Sequence, residues 1–335
     1  MDEKEVVIVT GCSGFIGSAL INKLAGQFTL VGFDKIAARQ PPPAAECVCI
    51  DLTSEEGMRS AFARVRTAYG SRIASVVHLA AYFDLTGEPS ELYEQITVRG
   101  TERLLKHLQD FEVEQFIFSS SMLVHAPTEP GQPIDEDSPL APRWPYLQSK
   151  VETEALICAE RGPIPVVLLR LAGVYDDRCH SAFLAQQISR IYEKQLISHI
   201  YPGDITHGQA ALHLDDLMDG FQLLIKKRHG LPPELVLLFG EPQTVGYETL
   251  QRTIGLELHD EKWRTVSIPK TVAKASAWIE NDVLQEEPFV KPFMIDMADD
   301  HYQLDISHAR KLIDWTPKHT LVDVVPPRLR ALRSG

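Results

Sequence analysis

The sequence has no apolar run long enough to cross a bilayer, no Cys-x-x-Cys pair and no Cys/His cluster at zinc spacing. It has no internal repeat and no low-complexity segment beyond the prolines at 41–43. Positive charge is in deficit: 33 Lys and Arg stand against 46 Asp and Glu, a formal net charge of −13. The first absence excludes a spanning helix, and the second excludes a thiolate metal centre. The third argues against nucleic acid and anionic membranes as partners, since KKRH at 226–229 is too short to make a basic patch. The start, MDEKEVVIVT, lacks the basic and then apolar regions of a secretory signal, which places the protein in the cytoplasm. Cys12, Cys47, Cys49, Cys158 and Cys179 are accordingly expected as buried free thiols, with Cys47 and Cys49 pointing to the same face of a strand.

What is present is a 335-residue chain, 44% hydrophobic and 24% charged, of ordinary globular composition. Its first half alternates β-rich runs with helical stretches: EVVIVT (5–10), FTLVGFD (28–34), ECVCIDL (46–52), ASVVHLAA (74–81), EQFIFSSS (114–121) and PVVLLRLAGV (165–174). Apolar strands joined by crossover helices predict an α/β fold with a doubly wound parallel Rossmann sheet covered on both faces. The rhythm changes after Val174. The expected division is a dinucleotide-binding domain over 1–174, with segments about 208–240 returning to it through ELVLLFG, and a smaller substrate-binding lobe from 175–207 and 241–325.

TGCSGFIG (10–17) lies between the first strand and the first helix. Gly11 permits the tight turn, Gly14 lets the backbone approach a pyrophosphate, and Gly17 lets the helix lie against the sheet, while the helix N-terminus offers free N–H groups and positive dipole charge. Ser13, Phe15 and Ile16 complete the contacting set. A bare glycine triplet also marks ordinary turns; its position between strand and helix makes this one specific. The second strand ends at Asp34, whose carboxylate suits two ribose hydroxyls and repels a 2′-phosphate, so NAD is expected over NADP, with Arg39 nearby softening the preference. Asp51 and Leu52 are placed to bracket an adenine, and Leu79, Ala80 and Ala81 to leave room for a dinucleotide above the sheet edge. No metal is expected.

WPYLQSK (144–150) sets Tyr146 and Lys150 one helical turn apart. With the glycine turn and the third serine of FSSS, the chain resembles the extended short-chain dehydrogenase/reductase family, which includes NAD-dependent epimerases and dehydratases. VVHLAA, FIFSSSMLV, YLQSK, LRLAGVY, HLDDL and KLIDWTPKHTL are similar to successive motifs of that family nearly end to end. The resemblance implies Ser121, Tyr146 and Lys150 as catalytic residues. Tyr146 would exchange the hydroxyl proton, Lys150 would support its phenolate and hold the nicotinamide ribose, and Ser121 would bond the reacting oxygen. Ser119, Leu171 and Val174, with Tyr146 and Lys150, join the NAD-contacting set. A phenol with an ordinary pKa near 10 needs positive neighbours to act as a base at neutral pH, and the Lys150 ammonium and the oxidised nicotinamide are the expected ones. A homodimer through the long helix after strand four and the Tyr146 helix is implied as well.

Departures from the family pattern narrow the chemistry. Met122 and Leu123 stand where 4,6-dehydratases carry an Asp-Glu pair, which disfavours water loss. HGQAALHLDD and MADDHYQLDI carry Gln209 and an acidic Asp299-Asp300 pair near positions where UDP-sugar epimerases place arginines for the diphosphate. Arg178 or Arg190 can substitute. Thr97 replaces an asparagine and His125 a tyrosine. Tyr82, Phe83, Met122, His125, Arg178, His207 and Gln209 are candidate substrate contacts, with packing the alternative role for His125; His78 and His213 read as structural. The expected function is NAD-dependent oxidation, reduction or epimerisation at a hydroxyl or ketone carbon of a sugar-like or other small polar substrate. Nucleotide-sugar 4-epimerase is the alternative, and a non-catalytic NAD sensor is the cross-class reading.

Overall fold

The computed structural model describes residues 4–35, 42–278 and 292–334; Arg39 lies outside them. Seven strands form the main sheet: β1 (Val6–Thr10), β2 (Thr29–Asp34), β3 (Glu46–Cys49), β4 (Ser75–His78), β5 (Phe116–Ser121), β6 (Val166–Leu171) and β7 (Glu234–Phe239). Their order is β7-β6-β5-β4-β1-β2-β3, and every neighbouring pair is parallel. The chain starts in the middle and winds outward both ways, so the order reverses between β1 and β4 and a crevice opens at their C-terminal ends.

Both faces of the sheet are covered, which is why β1 and β6 are apolar except for Thr10 and Arg170 and every residue of each is buried. On one face, α1 (Phe15–Leu24) and α6 (Leu214–Lys227) pack Leu20, Ile21, Leu24, Phe221 and Leu224 against it. On the other, α2 (Glu55–Tyr69), α3 (Arg99–Leu108) and α4 (Pro145–Glu160) contribute Met58, Phe62, Leu104, Leu108 and Ile157. Local chemistry sets the helix limits. The Ser54 side chain accepts the Gly57 N–H at 3.0 Å to cap α2, and Gly70, at φ +82°, ends it. Pro145 opens α4 at a position where a missing N–H costs nothing. α6 carries Asp215 and Asp216 in its first turn and Lys226 and Lys227 in its last, matching its dipole.

A separate apolar cluster joins α5 (Ala182–Tyr192), α7 (Tyr247–His259) and the C-terminal helix Leu321–Ser334 through Leu184, Ile188, Ile191, Leu250, Ile254 and Val325. The KLIDW segment is tied back to the sheet: Trp315 stacks on Phe239 at 4.1 Å and its Nε1 donates to the Asp216 carbonyl at 2.9 Å. Among the described residues no helix is long and apolar enough to cross a membrane. The cysteine expectation needs correction. Cys12 and Cys179 are buried and Cys158 is half-buried, but Cys47 and Cys49 are exposed on β3, the edge strand of the sheet.

Candidate active site

The crevice is floored by the glycine turn. Gly11 sits at φ +69°, and a Cβ there would stand 3.1 Å from the Ala80 amide nitrogen, so only glycine fits between the β1 and β4 loops. Gly14 is the N-cap of α1 and supplies no side-chain cap, which leaves the helix's first N–H groups directed at the crevice. Asp34 closes its far side. One carboxylate oxygen accepts the Ser13 N–H at 2.9 Å and the other the Lys35 N–H at 2.8 Å, fixing the group at the tip of β2 with lone pairs left for hydroxyl donors. An anion over the helix N-terminus and a ribose at Asp34 fit this cradle, the donor set of a dinucleotide. Asp34→Ala is expected to weaken NAD about tenfold and to narrow the discrimination against NADP, measured by cofactor titration. An unchanged NAD:NADP ratio would remove Asp34 from the ribose.

Asp51, expected beside an adenine, is held below the usual carboxylate range by the Thr53 amide and hydroxyl, at 2.9 and 2.8 Å. Leu52 is buried, and its Cβ lies 3.0 Å from where a Gly100 Cβ would be, so α3 crosses close over it. Beneath the crevice runs a buried chain of bonds. Thr10 Oγ1 meets His78 Nδ1 at 2.7 Å and accepts the Leu79 and Ala80 N–H groups, His78 Nε2 meets Thr101 Oγ1 at 2.9 Å, and Thr97 Oγ1 accepts the Tyr82 N–H at 3.0 Å. Burial and the nearby Lys150 push His78 down to about 3, so it is neutral and structural. Thr97 supports the loop that carries Tyr82 and Phe83.

At the end of β5, Ser121 Oγ accepts the Leu123 N–H at 3.2 Å and caps the short turn Met122–Val124. Lys150 is almost fully buried; its amine donates to the Ser119 carbonyl at 2.7 Å and lies 5.5 Å from the Tyr146 ring centroid. Ser119 Oγ in turn donates to the His78 carbonyl at 3.2 Å, linking β5 to β4. Burial pushes Lys150 down to about 7, against an upward pull from Glu154, and burial with Tyr93 pushes the Tyr146 phenol above its ordinary value. Each group thus disfavours its charged form when alone. Charged together, the ammonium and the phenolate attract each other in this buried setting.

The Tyr146 ring is enclosed by aromatics that the sequence motifs do not mark: Phe83 edge-on at 5.0 Å and Trp144 at 5.2 Å, with Phe293 on the far side of Trp144. Beyond Trp144 lies a cavity of about 290 Å³ between the sheet's C-terminal edge and the smaller cluster, lined in part by Leu123, Gln209, Tyr201 and Tyr247. Of the candidate substrate contacts, Gln209 lines this cavity and Phe83 touches Tyr146, while Tyr82 packs on Tyr93 at 4.9 Å. Met122 and His125 are corrected. Met122 is turned into the core by the short helical turn after β5. His125 is fully buried, with Nδ1 3.0 Å from the Ser138 carbonyl and Nε2 3.1 Å from the Arg170 guanidinium, which itself pairs with Glu154. Burial and Arg170 push that imidazole down to about 4, so it props the strand edge and has no nitrogen free for a substrate. Arg178 is exposed on the turn that Asp176 organises, and His207 Nδ1 is held at 2.7 Å by the Asp299 carbonyl; neither is part of the described cavity lining.

A dinucleotide cradle at the switch point of a parallel sheet, with Tyr146 beside a Lys150 anchored on the next strand's end, defines an NAD-dependent enzyme of the short-chain dehydrogenase type. The model of the NAD dependent epimerase/dehydratase family matches residues 7–238, and the chain belongs to that family. It is similar to UDP-glucose 4-epimerase of Vibrio cholerae, 25% identical over 328 residues that cover 94% of this chain and 92% of the relative. It is also similar to a 3-beta-hydroxysteroid dehydrogenase of Mycolicibacterium neoaurum, 24% identical over 341 residues, 94% of this chain and 87% of the other. In fold it follows the Thermus thermophilus UDP-glucose 4-epimerase solved with NAD, at TM-score 0.72 and 20% identity over 98% of this chain and 99% of that one. NAD is the cofactor, as the Asp34 reading anticipated.

Proposed function

We propose that Tyr146, Lys150 and Ser121 carry out reversible oxidation of a hydroxyl carbon or reduction of a ketone carbon, on a substrate that is polar at its reacting end. When bound, NAD supplies the hydride acceptor or donor. Ser121 Oγ, already an acceptor for Leu123, holds the reacting oxygen by donating its own proton. Tyr146 takes the hydroxyl proton in oxidation and returns it in reduction. Lys150, anchored on the Ser119 carbonyl, sustains the phenolate and reaches the nicotinamide ribose. The Phe83 and Trp144 rings keep water from the phenol. The observation that carries the reading is the buried Lys150 amine poised 5.5 Å from the Tyr146 ring: a lysine this dry is expected only where its charge has work to do.

Epimerisation is the second reading, favoured by the Vibrio cholerae relative's name. An epimerase returns the hydride to the same substrate and retains its cofactor, whereas a dehydrogenase releases NADH each turnover. Denaturing the purified protein and measuring released NAD, beside NADH absorbance during incubation with hydroxyl substrates, separates the two. Bound NAD with neither NADH formation nor interconversion across sugars, uronic acids, nucleotide-sugars and apolar alcohols would leave only a sensor. The enzyme is further proposed to be cytoplasmic, which its two exposed unpaired thiols, Cys47 and Cys49, support. It is also proposed to be a homodimer through α3 and α4.

A further inference from the structure

The cavity beyond Trp144 indicates what the rest of the substrate is. Resting on the reading of Tyr146 as the proton-exchanging group, we infer that the substrate's non-reacting part is an uncharged hydrocarbon ring system or chain, so that the whole is an apolar secondary alcohol or ketone rather than a sugar joined to a diphosphate. One end of the cavity is at the chemistry: Leu123 lies in the turn capped by Ser121, and Trp144 lies 5.2 Å from the Tyr146 ring. The walls beyond are largely aliphatic and aromatic, and among the described lining residues Arg190 is the only charged side chain. A diphosphate brings two negative charges and rewards two guanidinium forks, so one cation in an apolar wall suits it poorly. Arg143 does not supply the second, because it is paired with Asp300.

Several polar groups on the wall are engaged by the protein itself. The Tyr201 hydroxyl donates to the Ala298 carbonyl, Ser198 Oγ donates to the Gln195 carbonyl at 2.6 Å, and Gln251 accepts from Thr265. A nucleotide or a second sugar would find few partners and would have to give up water to enter. Gln187 Oε1 and Trp144 Nε1 are exceptions: both are buried without a hydrogen-bond partner, and Gln187 is placed to accept from one hydroxyl at the far end of an otherwise apolar ligand. A cavity of about 290 Å³ is at the lower end of the range for pockets that enclose a small organic molecule.

The test uses the full chain loaded with NAD and two probes, androstanol and UDP-glucose. Binding is read by quenching of tryptophan fluorescence, since Trp144 lines the cavity, and turnover is read as NADH formation or product interconversion. Androstanol is expected to bind at least about tenfold more tightly than UDP-glucose, and Phe183→Asp, at a half-exposed wall position, to weaken androstanol at least about fivefold with NAD affinity unchanged. Tighter binding of UDP-glucose, or androstanol binding indifferent to Phe183→Asp, overturns the inference. Because binding is measured apart from chemistry, these outcomes differ from failure of the catalytic reading, which would appear as turnover surviving Tyr146→Phe.

Discussion

Tyr146→Phe is expected to lower kcat by about a thousandfold while NAD affinity changes less than about threefold and stability by less than about 1 kcal/mol. The substitution removes one oxygen and keeps the ring, so the edge contact with Phe83 and the Trp144 contact survive and the pocket stays closed. Only the proton is lost. The size of the effect follows from the environment. Burial and Tyr93 raise the phenol's pKa while burial lowers the Lys150 amine to about 7, so neither ionises readily alone. Moving the proton from phenol to amine makes an ion pair of mutually attracting charges, and bound oxidised cofactor adds to the same sign. Of the rings packed on Tyr146, Phe83 and Trp144 carry no exchangeable acid near neutral pH and cannot take its place. Single-turnover measurement on NAD-loaded protein separates loss of chemistry from loss of binding. Retention of more than a tenth of kcat would mean that the proton goes elsewhere.

The parts of this site that could be read in the sequence are those governed by local rules. A parallel sheet buried on both faces writes itself as apolar runs, so β1, β2, β4, β5 and β6 were legible, as were the glycine turn and the carboxylate at the end of β2. Tyr146 and Lys150 share one helix, and their spacing fixes their shared face. Legibility failed where tertiary packing decides. Cys47 and Cys49 alternate like a buried strand, yet both are exposed, because their strand is at the edge of the sheet. Met122 and His125 lie one and four residues after Ser121, but the short helical turn Met122–Val124 rotates both away from the crevice, one into the core and one against Arg170. The π-helical turn Tyr93–Val98 before α3, which sets Thr97 under Tyr82, has no sequence signature at all. The cavity wall is the largest omission. Trp144, Tyr201, Tyr247 and Phe293 come from four distant segments, and only the fold brings them together; Trp144 alone, two residues before Tyr146, offered a hint.

Gly17→Ala tests whether the glycine turn is a rigid cradle, and it is expected to raise the NAD dissociation constant about a hundredfold and to lower stability by about 3 kcal/mol. The reason is geometric. A Cβ at Gly17 would lie 2.8 Å from the Cys12 Cα and closer still to the Gly11 carbonyl oxygen, and both are main-chain atoms that cannot rotate aside. That same oxygen accepts the Gly14 N–H at 3.0 Å, which shapes the turn, so relief requires α1 to lift from β1 as a body. Lifting it displaces the N–H groups and the dipole that meet the pyrophosphate, coupling a packing fault to cofactor affinity. Gly230→Ala is the control, since a Cβ there meets nothing within 4 Å and the residue is exposed; its stability should stay within about 0.5 kcal/mol. Urea unfolding and NAD titration of both variants give the comparison. Unaltered NAD affinity in Gly17→Ala would show that the helix can recede without disturbing the crevice, and the anion-binding role of the α1 terminus would fall with it.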